Sequence, residues 1–202
     1  MNADQKANLD AAVLALGQNL AIAWSYFHLL RGMDQGRLQN PEALKRFGMF
    51  YDRAWRAVFD GFFAKVGTLL DNTKGTNSLP NLITLVRRYG TPELRQLILG
   101  VESSLATKGS SLSKLRNWRH DAVAHDASER SPEFYADNKM TLTEIEDALA
   151  QLENLLNHLS WNVLGIHNET RSAFEGLVDD GKALFASTAA GLRGAPATDR
   201  TA

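Results

Sequence analysis

The sequence predicts an all-α fold, a helical bundle of about five to seven helices, and three observations carry that prediction. Apolar residues recur three and four apart through most of the chain, and residues that cap helix starts stand ahead of those stretches. No stretch alternates apolar and polar residues as a half-buried strand does, and there is no internal repeat.

From Asp4 to about Arg31, the residues Leu9, Val13, Leu16, Leu20, Ala23, Trp24 and Phe27 form an apolar stripe, and the polar run Gly32 to Asn40 is expected to end this helix. Asn40-Pro41 then offers an N-cap followed by proline in the first turn. The second helix extends to about Leu70. Its aromatics Phe47, Phe50, Tyr51, Trp55, Phe59, Phe62 and Phe63 have helical spacing and are expected in the core. Gly48, Gly61 and Gly67 permit close helix approach there while lowering helix propensity. Asp71 to Ser78 is turn chemistry; Ser78 is expected to cap a helix from Leu79 to Tyr89, with Gly90 as its stop. Thr91-Pro92 opens the next helix, to about Lys108, and Gly109-Ser110 mark a bend.

Beyond that bend comes KLRNWRHDAVAHDA, Lys114 to Ala127, predicted helical. Ser128 to Met140, containing Pro132, reads as a loop long enough to lie beside a site. Thr141 and Glu144 form a capping-box pair before a helix with apolar residues Leu142, Ile145, Leu149, Leu152, Leu155, Leu156, Leu159 and Val163. One further helix is expected from Arg171 to about Ala186. Residues 1–190 thus read as a single all-α domain, and 191–202, small and polar, as a disordered tail.

Composition narrows the function classes. A chain of 202 residues with 44% hydrophobic residues can bury one sizeable core. A net charge of -1 supplies no global attraction to a polyanion, so nucleic acid would need a local basic patch. Without cysteine there is no disulfide framework, thiolate metal site or thiol nucleophile, which fits the cytoplasm. The apolar window Ala11 to Phe27 is interrupted by Gln18 and Asn19 and preceded by Asp4, Lys6 and Asp10; it reads as a buried helix and not as a membrane span or signal peptide.

Chemistry concentrates in the Lys114 to Ala127 stretch, where Arg119 and His125 are the candidate catalytic pair and His120, Asp121, Arg116 and Asn117 are expected to support them, with Asp126 beside. Histidine exchanges protons near neutrality, and arginine offers a permanently charged planar fork that fits phosphate. Together they can cut a phosphodiester with no metal or other cofactor. On RNA the route is attack by the adjacent 2′-hydroxyl, His125 assisting proton transfer and Arg119 stabilising charge on the phosphate oxygens; DNA lacks that nucleophile. Six residues of ideal helix turn through about 600°, which leaves Arg119 and His125 about 120° apart. His125 shares a face with Asp121 and Trp118, whereas Arg116 stacks near Arg119 and His120. The pair can converge through the reach of arginine, a distorted turn, or a two-fold axis that builds one composite cleft from two copies.

Arg119, the polar His120 and then His125 resemble the signature of the HEPN superfamily (higher eukaryotes and prokaryotes nucleotide-binding). The wider phrase KLRNWRHDAVAHDA, the upstream LLDNTKGT and SLPNLITLV, and the aromatic second helix resemble its abortive-infection (Abi) branch, over about Trp24 to Val163. The resemblance implies an all-α bundle that forms a homodimer around the motif helix. It further implies a metal-independent endoribonuclease of a toxin–antitoxin or phage-defence system, with an antitoxin or nucleotidyltransferase as partner. Ala127 stands where one toxin subgroup carries a tyrosine, so nucleotidyl modification of such a tyrosine is not expected.

Two other readings compete. His120-Asp121 and His125-Asp126 are both His-Asp dipeptides, as in metal-dependent HD-type phosphohydrolases, with His28 and Asp147 or Asp179 as the remaining nominal ligands. A catalytically inactive dimeric module that binds RNA, nucleotide or protein is the other. Individually, His125 capped by Asp121 could be structural, and Arg119 could pair with Asp126 or Glu129 on the surface; His28, His158 and His167 read as structural.

Overall fold

The computed structural model describes residues 2–124, 137–165 and 170–194, and among these every regular element is a helix. They are α1 (Ala3–Gln39), α2 (Pro41–Leu69), α3 (Leu79–Tyr89), α4 (Pro92–Ala106), α5 (Ser111–Ala124), α6 (Leu142–Leu164), α7 (Thr170–Ala173) and α8 (Leu177–Gly194).

The central element is α1, which packs against α2, α6 and α8. Leu9, Val13, Leu16, Leu20, Trp24 and Phe27 are all buried along it, so the predicted stripe is the core stripe. By length and composition α1 could cross a membrane, but in the bundle this apolar stripe is spent on the core. The helix does not stop at Gly32. It continues to Gln39 because Gly32 and Gly36 lie where α8 crosses: a Cβ on Gly32 would meet the Val178 carbonyl oxygen at 2.2 Å, and one on Gly36 the Phe185 ring at 2.9 Å. Gly181 of α8 answers them, a Cβ there falling 2.7 Å from the Met33 backbone nitrogen. The glycines that locally argue for a break are what allow two backbones to touch.

In α2 the aromatic expectation divides. Tyr51, Phe62 and Phe63 are buried, but Phe47, Phe50 and Trp55 are 40%, 58% and 37% exposed. The backbone leaves helical geometry at Phe47 (φ -120°, ψ 28°), which throws the early aromatics out of phase with the buried stripe. Tyr51 remains buried by stacking on Phe185 of α8 at 4.0 Å and donating to Thr188 Oγ1 at 2.5 Å. Of the glycines in this helix, Gly61 meets the Tyr26 ring, a Cβ falling 2.7 Å from it, while Gly48 has open space.

Several start signals act as read. Thr91 Oγ1 accepts from the Leu94 amide at 3.4 Å with Pro92 beside it, and Thr141 and Glu144 form the reciprocal capping box. Two caps do not form: Ser78, fully buried, makes no side-chain cap bond, and Asn40 directs its side-chain amide back to the Gly36 carbonyl, closing α1 instead of opening α2. The single helix expected from Arg171 is two, because a tight turn at Phe174, Glu175 and Gly176 separates α7 from α8. The second of these runs to Gly194, past the boundary drawn at residue 191, and 195–202 lie outside the described residues.

Candidate functional site on the motif helix

The motif helix α5 packs against α2, α4 and α6. Gly109, at φ +83°, turns the chain out of α4, a conformation open to glycine without strain. Ser110 Oγ then accepts from the Ser113 amide at 3.1 Å and donates to the Ser104 carbonyl, so one hydroxyl caps α5 and ties it to the end of α4. Leu112 and Leu115 are fully buried and fix the rotation of the helix.

The next side chains clamp α5 to the segment that enters α6. Lys114 Nζ donates to the Lys139 carbonyl at 3.1 Å and to Glu144 Oε1 at 2.8 Å. That ammonium, with the Thr141 amide, draws the Glu144 carboxyl down to about 2. Asn117 Nδ2 donates to Asn138 Oδ1 at 2.9 Å, and Trp118 Nε1 donates to the Asn138 carbonyl at 2.6 Å. The Trp118 ring lies on Phe63 at 5.6 Å and edge-on to Phe59 at 5.9 Å. Asn117, expected to support catalysis, is therefore an anchor. Its partner Asn138, 7% exposed, carries no spacing signal that would have singled it out.

Arg119, His120 and Asp121 fall on the last two turns of α5, where only the main chain belongs to the description. His125, Asp126, Ala127 and Glu129 lie outside the described residues, as do Pro132 and most of the expected loop. Asp137 and Asn138 are helical, within the stretch read as loop.

Arg116 is half-buried and lines a cleft of about 410 Å³ between α3, α4 and α5. Ile83, Thr84, Arg87, Glu102 and Leu105 share its walls. Arg87 Nη2 pairs with Glu102 Oε1 at 2.5 Å, whereas Arg116 makes no ion pair or hydrogen bond among the described residues. Arg87 and Glu102 come from separate helices with no shared motif, so the sequence alone did not suggest them.

The other histidines are engaged elsewhere. His28 is buried, stacked on Trp24 at 5.4 Å, and bonded to the Arg171 carbonyl at 3.1 Å; His158 bonds its own helix at Asn154; His167 lies outside the described residues. His28 thus has its Nε2 committed, and Asp179 pairs with Lys182. Among the described residues no group of three or more His, Asp or Glu side chains could hold a metal.

An all-α bundle with the Arg119-His120 motif on an internally anchored helix defines a HEPN-type module of the abortive-infection branch. The profile of the HEPN AbiU2 family (HEPN_AbiU2) matches residues 6–184, and the chain belongs to that family. No curated protein and no solved structure matches it.

Proposed function

We propose that this protein is a metal-independent endoribonuclease of a toxin–antitoxin or abortive-infection defence system, acting as a homodimer. The 2′-hydroxyl of the substrate attacks the adjacent phosphorus, His125 accepts its proton, and the 5′-oxygen of the next nucleotide leaves, taking a proton from water, to give a 2′,3′-cyclic phosphate and a 5′-hydroxyl end. Arg119 bears on the phosphate oxygens where negative charge builds. His120 and Asp121 support that pair, Asp121 by orienting His125, and Asn117 holds the helix.

The observation that carries the reading is the motif itself within a member of this family, beginning on a helix that Leu112, Leu115 and the Asn138 contacts hold in one orientation. A fixed helix is what a two-residue site requires, since small displacements of a catalytic pair cost rate steeply.

The test is cleavage of RNA by the folded variants Arg119→Lys and His125→Ala. Each should cut slower by roughly 10²-fold or more, the scale for losing a charge-stabilising or acid–base group. Lysine retains the charge and loses the fork. Cutting should survive a chelator, and deoxyribose at the scissile position should block it. If both folded variants cut at the wild-type rate, the Arg119/His125 assignment is wrong; if the wild type binds RNA but cuts none over a wide panel at high protein concentration, the protein is a binding module. Loss of cutting in chelator would point to the HD-type metal reading instead.

A further inference from the structure

The cleft bordered by Arg116 has no part in the chemistry above. We propose that it is a nucleotide subsite, holding one guanosine 5′-phosphate unit of the RNA strand beside the scissile bond; this rests on the ribonuclease reading.

Charge is the first reason. Arg87 and Glu102 neutralise each other across the cleft, with Arg87 64% exposed at the rim and Glu102 18% exposed within. Among the described residues Arg116 has no partner, so they leave the cleft one uncompensated positive charge. A half-buried guanidinium without a carboxylate is matched by a phosphate, which its fork can meet at two oxygens.

Shape and edge chemistry are the second. About 410 Å³ lies in the range of sites that hold small molecules, about 300–1,000 Å³. Ile83, 6% exposed, and the half-buried Leu105 give apolar walls for a planar ring. A carboxylate has about four acceptor positions, and among the described residues Arg87 takes up one of those of Glu102. Guanine presents N1–H and N2–H side by side to such a carboxylate, whereas adenine, cytosine and uracil offer no two adjacent groups that both donate. Arg116 also precedes Arg119 by three residues on α5, about 4.5 Å of rise, so a phosphate there is a neighbour of the cut one.

The experiment uses the full chain, titrated calorimetrically with GMP, AMP and guanosine, beside mapping of RNA cut sites. GMP should bind at least tenfold more tightly than AMP or guanosine, and cuts should fall next to guanosine. Arg116→Ala should weaken GMP at least tenfold. Ala106→Trp should do the same by filling the cleft from an exposed position at the end of α4, so a folding defect in the arginine variant leaves the proposal testable. Glu102→Gln should erase the preference of GMP over AMP. Equal binding of GMP and AMP, unaltered GMP binding in folded Ala106→Trp, or cut sites indifferent to guanosine would each overturn the subsite. Arg119→Lys and His125→Ala should still bind GMP. GMP binding of the expected pattern with no RNA cut by the wild type would instead overturn the ribonuclease reading and leave the cleft with a free guanosine nucleotide as its ligand.

Discussion

The two ring nitrogens of His28 meet unequal surroundings. Nε2 donates to the Arg171 carbonyl at 3.1 Å, while Nδ1 is buried with no hydrogen-bond partner. A second proton would sit on Nδ1, unsolvated and unpaired. Burial is accordingly the largest influence and lowers the pKa from its ordinary 6.5; Arg31 lowers it further, against opposing effects from the Arg171 carbonyl, Glu175 and Glu146. Because the folded value is the lower one, the unfolded chain binds a proton that the folded chain refuses, and this contribution to stability declines as pH falls below 6.5. His28→Phe retains stacking on Trp24 but cannot titrate. It should cost about 1 kcal/mol near pH 8 through the lost hydrogen bond. Urea denaturation should then show that deficit shrinking or reversing by pH 5. A deficit independent of pH would mean that the ring takes its proton in the folded state as readily as in the unfolded one.

Along whole elements, local chemistry and tertiary packing make separable demands. The Thr141/Glu144 capping box, the Thr91-Pro92 start and the α1 core stripe were legible because each signal is complete within one turn or one periodic run. Gly32 was misread because its reason lies on α8, well over a hundred residues away in the chain, where Val178 and Gly181 occupy the space of a Cβ. The same limit applies to the site. The chemistry of α5 is concentrated in sequence and could be found there, but Asn138 and the Arg87–Glu102 pair come to it from other segments. The two glycine environments can be set against each other. Ala in place of Gly in a helix gains roughly 0.5–1 kcal/mol where space is open, and overpacking costs about 1–3 kcal/mol. Gly100→Ala, with nothing within 4 Å, should therefore raise the melting temperature; Gly32→Ala, 2.2 Å from a backbone oxygen, should lower it. If the two alanine variants melt alike, the α1–α8 contact is not what holds glycine at position 32.

For the whole molecule the question is whether one copy suffices. Arg119 and His125 lie about 120° apart on an ideal helix, and no rotation of the helix as a body changes that angle. The proposed two-fold axis beside the motif helix would resolve this by bringing the arginine of one copy near the histidine of the other. Light scattering at micromolar concentration should then give about twice the 22.3 kDa chain mass. A complementation assay takes the argument further. Arg119→Lys and His125→Ala, each expected to be nearly inactive alone, are unfolded together and refolded as a mixture. In a mixed dimer the arginine of the His125→Ala copy can face the histidine of the Arg119→Lys copy. Pairing across the axis therefore predicts cutting by the mixture well above that of either parent. Pairing within one copy predicts none, because neither chain then carries both groups. A strict monomer, or a mixed dimer no more active than its parents, would place both groups in one chain, converging through the reach of arginine or a distorted turn.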